Sequence, residues 1–241
     1  DTSNGGKEEP TENPNASKPR YIWIDAAANF PDFANSKENI ARDLALAKDA
    51  GFTDIVVDVR PTTGDVLFKT NIVDQVKFMY AWIGSNYTKV ERTATWDYLQ
   101  AFVDEARKQG LRIHAAINTF VGGNQIDGGT GLLYRDQSKA EWATQMNMQT
   151  GIVSVMNTSE STKFFNPAHP EVQTFLCDLL KDLASYDLDG IFLDRGRFLN
   201  LQTDFSEESR KQFEEYMGGI RIQNYPDDIL LPGASSLPAT Y

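Results

Sequence analysis

The chain has 241 residues, 41% of them hydrophobic and 11% aromatic, with a formal net charge of −11. That much apolar chain can bury a sizeable core, in one domain or two small ones. The acidic balance argues against nucleic acid or an anionic membrane surface as the main partner, and no apolar run reaches the roughly 18 residues a spanning helix needs. Carbohydrate, a neutral ligand class, is compatible with that charge.

Cys177 is the only cysteine, which leaves no intrachain disulfide and no zinc pattern. Within "VQTFLCDLL" it reads as a small buried hydrophobe. His114 and His169 stand far apart and form no metal motif, so neither metal nor cofactor is expected.

The first 20 residues hold almost no apolar side chain and read as a disordered polar linker. Such a tether remains when a secreted or lipid-anchored bacterial protein loses its leader. Secretion, or a cell-surface or periplasmic location through a lipid anchor, is the expectation.

The folded part, residues 21–241, opens with "YIWIDA", a buried strand. A helix follows, with Ser36 as N-cap, Ile40, Leu44 and Ala47 at helical spacing and Gly51 at its end. "TDIVVDVRP" is a second strand, stopped by Pro61. "TWDYLQAFVDEARKQG" is a second amphipathic helix and "LRIHAAINTF" a third strand. "HPEVQTFLCDLLKDLASYD" is a third helix with Pro170 in its first turn, and His169 reads as a surface residue ahead of it. "DGIFLDR" is a fourth strand, begun by Asp189 and Gly190 at a turn. "DFSEESRKQFEEYMG" is a fourth helix. Strand and helix alternate four times, which implies a parallel sheet. Doubly wound sheets and (β/α)8 barrels both fit. No nucleotide-binding glycine motif follows the first strand.

Polar residues gather at the C-terminal ends of the strands: Asp25, Asp58 and Arg60, Asn118, and Asp194. Alternation sets Val56, Asp58 and Arg60 on one face, with His114, Ala116 and Asn118, and with Phe192 and Asp194. Ile55, Val57, Val59, Ile113, Ala115, Ile117, Ile191 and Leu193 take the other face, toward the helices. In α/β barrels the C-terminal rim carries the active site. The connections after strands two and three are long, as functional loops often are. They carry Tyr80, Trp82, Tyr87, Tyr134 and Trp142, whose rings either stack on sugars or anchor the loops.

The segments "DLALAKDAGFTDIVVDVRPTTGDVLFKT", "LQAFVDEARKQGLRIHAAINTF", "FFNPAHPEVQTFLCDLLKDLASYDLDGIFLDRGRF" and "DFSEESRKQFEEYMGG" occur in this order. Together, over roughly residues 20 to 230, they resemble the glycosyl-hydrolase-like barrel family of bacterial surface lipoproteins, distantly similar to α-amylase-type barrels. The resemblance implies a (β/α)8 TIM-type barrel acting on the glycosidic bonds of a poly- or oligosaccharide. It implies that Asp194, at the end of strand four, is the nucleophile or base. The matched strand-end positions Asp58, Arg60 and Asn118 are then candidate substrate contacts, joined by His114 deeper on the same face, by Asp25, which either binds ligand or caps the next segment, and by Arg195 and Arg197, which crowd the site and depart from the family pattern. Two residues before Asp194, where amylases carry an arginine, this chain has Phe192.

A glycosidase needs one ionised and one protonated carboxyl group. Arg195 and Arg197, flanking Asp194, are expected to keep it ionised. In amylase-like enzymes the proton donor comes from a fifth strand, and none is evident here. The chain thus supplies about the first four βα units. A longer product is expected, ahead of a partner copy completing the sheet or an open sheet. Two alternatives stand beside hydrolysis. One is a carbohydrate-binding barrel without catalysis. The other, weaker, is a metal-dependent hydrolase with Asp25, Asp58 and Asp194 as oxygen ligands.

Overall fold

A computed structural model describes residues 18–236. The linker expected over 1–20 lies, as to residues 1–17, outside the described residues, and so does any anchor before it.

Strand β1 (Tyr21–Ile24) leads to a single turn of helix, α1 (Phe30–Phe33), and then to α2 (Lys37–Asp49). The side chain of Ser36 accepts the backbone N–H of Asn39 at 3.1 Å, with Glu38 in the first turn and Lys48 in the last. Cap and charges both favour the helix here. Strand β2 (Asp54–Arg60) runs into Pro61. Its long connection folds into an antiparallel hairpin of β3 (Phe78–Ile83) and β4 (Asn86–Glu91), joined by Gly84 and Ser85 with Gly84 at φ 62°. Helix α3 (Tyr98–Gln109) is capped by Asp97 and ended by Gly110 in the left-handed region.

Strand β5 (Arg112–Asn118) comes next. The second long connection holds β6 (Val121–Asn124), the short helix α4 (Leu132–Arg135), β7 (Gln145–Met148), β8 (Gly151–Ser154) and β9 (Thr162–Phe164). Strands β6 and β9 pair, as do β7 and β8. Here a Cβ on Gly131 would fall 2.5 Å from the Cα of Gly123, so this crossing admits only glycine. Trp142 is buried against Phe165 and Phe175, which makes it an anchor of its loop. Helix α5 (Pro170–Leu183) begins where the ring of His169 accepts the N–H of Glu171 at 3.2 Å. Strand β10 (Gly190–Asp194) and helix α6 (Glu207–Tyr216), capped by Ser206, complete the four βα units.

The four strands read from the sequence form one parallel sheet in the order β1–β2–β5–β10. Ile55, Val57, Val59, Ile113, Ala115 and Ile117 are fully buried beneath the helices, whose Leu44, Phe102, Val103, Leu176 and Leu179 share the same core. Two expectations are corrected. Cys177 is exposed, because α5 turns Val172, Phe175, Leu176 and Leu179 inward and leaves position 177 outside that stripe. Leu193, expected under a helix, is 54% exposed, because β10 is an edge strand. Among the described residues no helix is long and apolar enough to cross a membrane.

Candidate functional site

The opposite face of the sheet is open, and the two ends of its strands differ in chemistry. At the N-terminal end Asp54 is fully buried. Arg112 reaches it with two hydrogen bonds of 2.7 Å, Nε2 of His114 lies 2.8 Å away and the hydroxyl of Thr53 donates at 2.5 Å. The Arg112 bridge holds the Asp54 carboxyl well below the usual range. His114 was expected to contact substrate. It stands instead against Gly190, where a Cβ would meet its Nδ1 at 2.8 Å, and against the rings of Tyr21 and Phe192. Asp189, as expected at a turn, accepts the N–H of Ile113 and an Arg107 N–H at 2.8 and 2.7 Å.

At the C-terminal end the sheet brings three carboxylates together. Asp58 is only 8% exposed. It accepts the N–H of Arg60 at 3.2 Å and faces the backbone N–H of Ala26. Burial pushes its carboxyl up to about 7, and the charges of Asp25 and Asp194 push the same way. Asp25 is exposed, and its Oδ1 accepts the N–H groups of Ala27 and Ala28 at 2.8 and 2.7 Å, fixing the turn after β1. Asp194 is exposed too. It accepts the N–H of Arg195 at 2.7 Å, while its carbonyl receives the N–H of Thr119. These three carboxylates do not form a group arranged to hold a metal; none does among the described residues.

The arginines take other places. The register between β2 and β5 shifts after Asp58, setting Arg60 opposite Ile117 rather than Asn118. Bulges of this kind re-aim side chains at sheet ends. The Arg60 side chain is fully buried and donates to the carbonyls of Asn118, Thr119 and Val121 at 2.5, 3.2 and 2.5 Å. Asn118 returns a bond from Nδ2 to the Arg60 carbonyl at 2.9 Å. Arg60 and Asn118 therefore lock β2 to the corner after β5. Arg197 donates to the carbonyls of Phe198 and Leu199, and no ion pair joins Asp194 to Arg195 or Arg197 among the described residues. Arg195 itself sits at φ 47°, which turns the chain sharply after the strand.

Two features were not read from the sequence: the burial of Asp58, and the β3–β4 hairpin. The hairpin was legible: "FMYAWIGSNYTKVE" alternates across a Gly-Ser turn.

The family described as "Glycosyl hydrolase-like 10" matches residues 18–229. A curated relative, an S-layer-related protein from Niallia circulans, is 32% identical over 216 residues, 86% of this chain and 13% of that protein. The chain thus spans about an eighth of that relative's length. Among solved structures, alpha-L-fucosidase isoenzyme 2 from Paenibacillus thiaminolyticus aligns at a TM-score of 0.53 and 18% identity. It covers 84% of this chain and 26% of the fucosidase. A hypothetical protein from Ruminiclostridium thermocellum ATCC 27405 aligns at a TM-score of 0.49 and 14% identity, over 90% of this chain and 96% of its own. The likeness to the fucosidase is one of fold: the four-stranded parallel sheet with its helices is part of a TIM-type (β/α)8 barrel.

Proposed function

Because the chain belongs to the glycosyl hydrolase-like 10 family, we propose that it forms the catalytic face of a glycoside hydrolase acting on a poly- or oligosaccharide. The observation that carries this reading is the carboxylate group at the strand ends, in which Asp58 is buried and Asp194 open to solvent. Hydrolysis of a glycosidic bond needs a proton for the departing oxygen and an anion at the anomeric carbon or on the attacking water. Asp194 takes the second role, as nucleophile or base. Asp58, whose burial favours the neutral acid near pH 7, takes the first, in place of the donor a fifth strand would carry. Asp25 holds the turn beside them and borders the substrate. A cell-surface location goes with this reading, supported by the name of the Niallia circulans relative.

The test is reducing-end release from a panel of polysaccharides by the complete gene product. Asp194→Asn is expected to remove all measurable release, a loss on the order of a thousandfold or more. Turnover that survives the substitution would overturn the assignment. If wild type and variant both release nothing yet bind glycan alike, the protein is a carbohydrate-binding barrel that leaves its ligand whole.

A further inference from the structure

The β3–β4 hairpin carries its aromatic residues on one face. Phe78, Tyr80 and Trp82 alternate along β3, and Tyr87 on β4 stands opposite Trp82. The rings of Tyr80 and Tyr87 stack with centroids 5.3 Å apart and planes 28° apart; Tyr87 and Trp82 are also 5.3 Å apart. Met79 and Ala81, on the other face, are buried in the protein. Trp82 and Tyr87 are 68% and 55% exposed, so the packing of the hairpin does not account for their rings. Large aromatics left in water in a row mark a binding surface rather than a core.

The row is held at its base. Asp127, in the turn after β6, accepts the hydroxyl of Tyr80 at 2.9 Å and the ammonium of Lys89 at 2.6 Å, and Lys89 lies 4.0 Å from the centre of the Phe78 ring. Beside these rings is a cavity of about 350 Å3. Tyr80 and Tyr87 line it together with Thr62, Asn124, Gln125 and Ser161, and no charged side chain does. Its wall reaches Ala27, whose N–H is held by Asp25 at the carboxylate group. Flat apolar faces edged with hydroxyls and amides suit a ligand that alternates C–H faces with hydroxyl groups. An uncharged pyranose chain has that chemistry, and a protein of net charge −11 admits it more readily than an anionic polymer.

We propose that the hairpin face and the cavity at its base form an extended subsite that binds neutral sugar residues of a glycan chain lying outward from the carboxylate group. This rests on the glycan reading above and adds where the chain runs. The β3–β4 rings bind remote units of the substrate and so set affinity for long chains.

The test is calorimetric titration of the full chain with maltohexaose, cellohexaose and chitohexaose. Trp82→Ala and Tyr87→Ala are compared with Ile83→Ala, a control on the other face of the same hairpin. With circular dichroism unchanged, each aromatic variant is expected to weaken the best hexasaccharide by on the order of tenfold, as losing apolar contact with one sugar ring implies. Ile83→Ala is expected to bind as wild type does. Equal binding by wild type and both aromatic variants would overturn the subsite and leave the glycan reading standing. Absence of binding by wild type to every hexasaccharide would overturn both.

Discussion

Asp58 and Asp54 are two buried carboxylates on one strand with opposite acid–base behaviour, set by what each was given in exchange for water. Asp54 has a guanidinium, an imidazole and a hydroxyl; Asp58 has two backbone N–H groups and the like charges of its neighbours. The fold therefore binds a proton at Asp58 more tightly than the unfolded chain does. Its contribution to stability is fullest below about pH 4 and declines as pH rises toward 7. Asp58→Asn is expected to raise stability at pH 8 by about 1 kcal/mol or more, and to have little effect at pH 4, read as melting temperature across that range. On the proposed reading, with Asp58 as the acid, hydrolysis is expected to fall as pH rises through about 7, and a flat alkaline profile would refute that role. For Asp54 the sign reverses: its pairing stabilises the fold above about pH 4 and is lost as acid protonates it. Asp54→Asn is expected to cost about 2–3 kcal/mol at neutral pH, with the gap to wild type closing in acid. Denaturant titration at pH 7 and pH 3 measures it.

At the scale of elements, Arg60 is the clearest case of a side chain whose type suggested ligand contact and whose surroundings give it structural work. Its three acceptors are buried carbonyls of the β5–β6 corner. Arg60→Met would remove all of these bonds and is expected to cost about 3 kcal/mol in urea unfolding, far more than a surface arginine would. Sequence alone could not show this, because the cause is a one-residue slip between β2 and β5, invisible in the pattern of either strand. The main elements were legible for the opposite reason. Ser36, Asp97 and Ser206 mark helix starts, Gly110 marks an end, and period-two and period-3.6 patterns separate strands from helices. The gathering of Asp25, Asp58 and Asp194 at one end of the sheet followed from those strands. The roles of the arginines did not: Arg195 and Arg197 sit beside Asp194 in sequence, yet the turn that begins at Arg195 leaves them without an ion pair to it. Adjacency along a chain predicts a charge contact only where the backbone does not bend between the two groups.

Over the whole molecule, the four-stranded sheet has β1 and β10 as its outer strands. Its barrel-side face carries Tyr21, Trp23 and Phe192, all exposed and in ring contact at 6.0 and 5.6 Å. Unpaired strand edges beside exposed rings favour association. Residues 18–236 produced alone are expected to bind a hydrophobic dye and to associate with rising concentration, and Phe192→Lys is expected to reduce both. Sedimentation as a monomer at every concentration tested would contradict this.

The two faces of that sheet also divide the labour of change. The helix side, from Ile55 to Ile117, is closed and uniformly apolar, and it shares no side chain with the carboxylate rim. A substitution at Asp194 or at the tip of the β3–β4 hairpin therefore changes the exposed surface while leaving the packed layer behind it untouched. Variation can accumulate in the exposed rim and its loops at little risk to foldedness, so one backing layer can support many different surfaces.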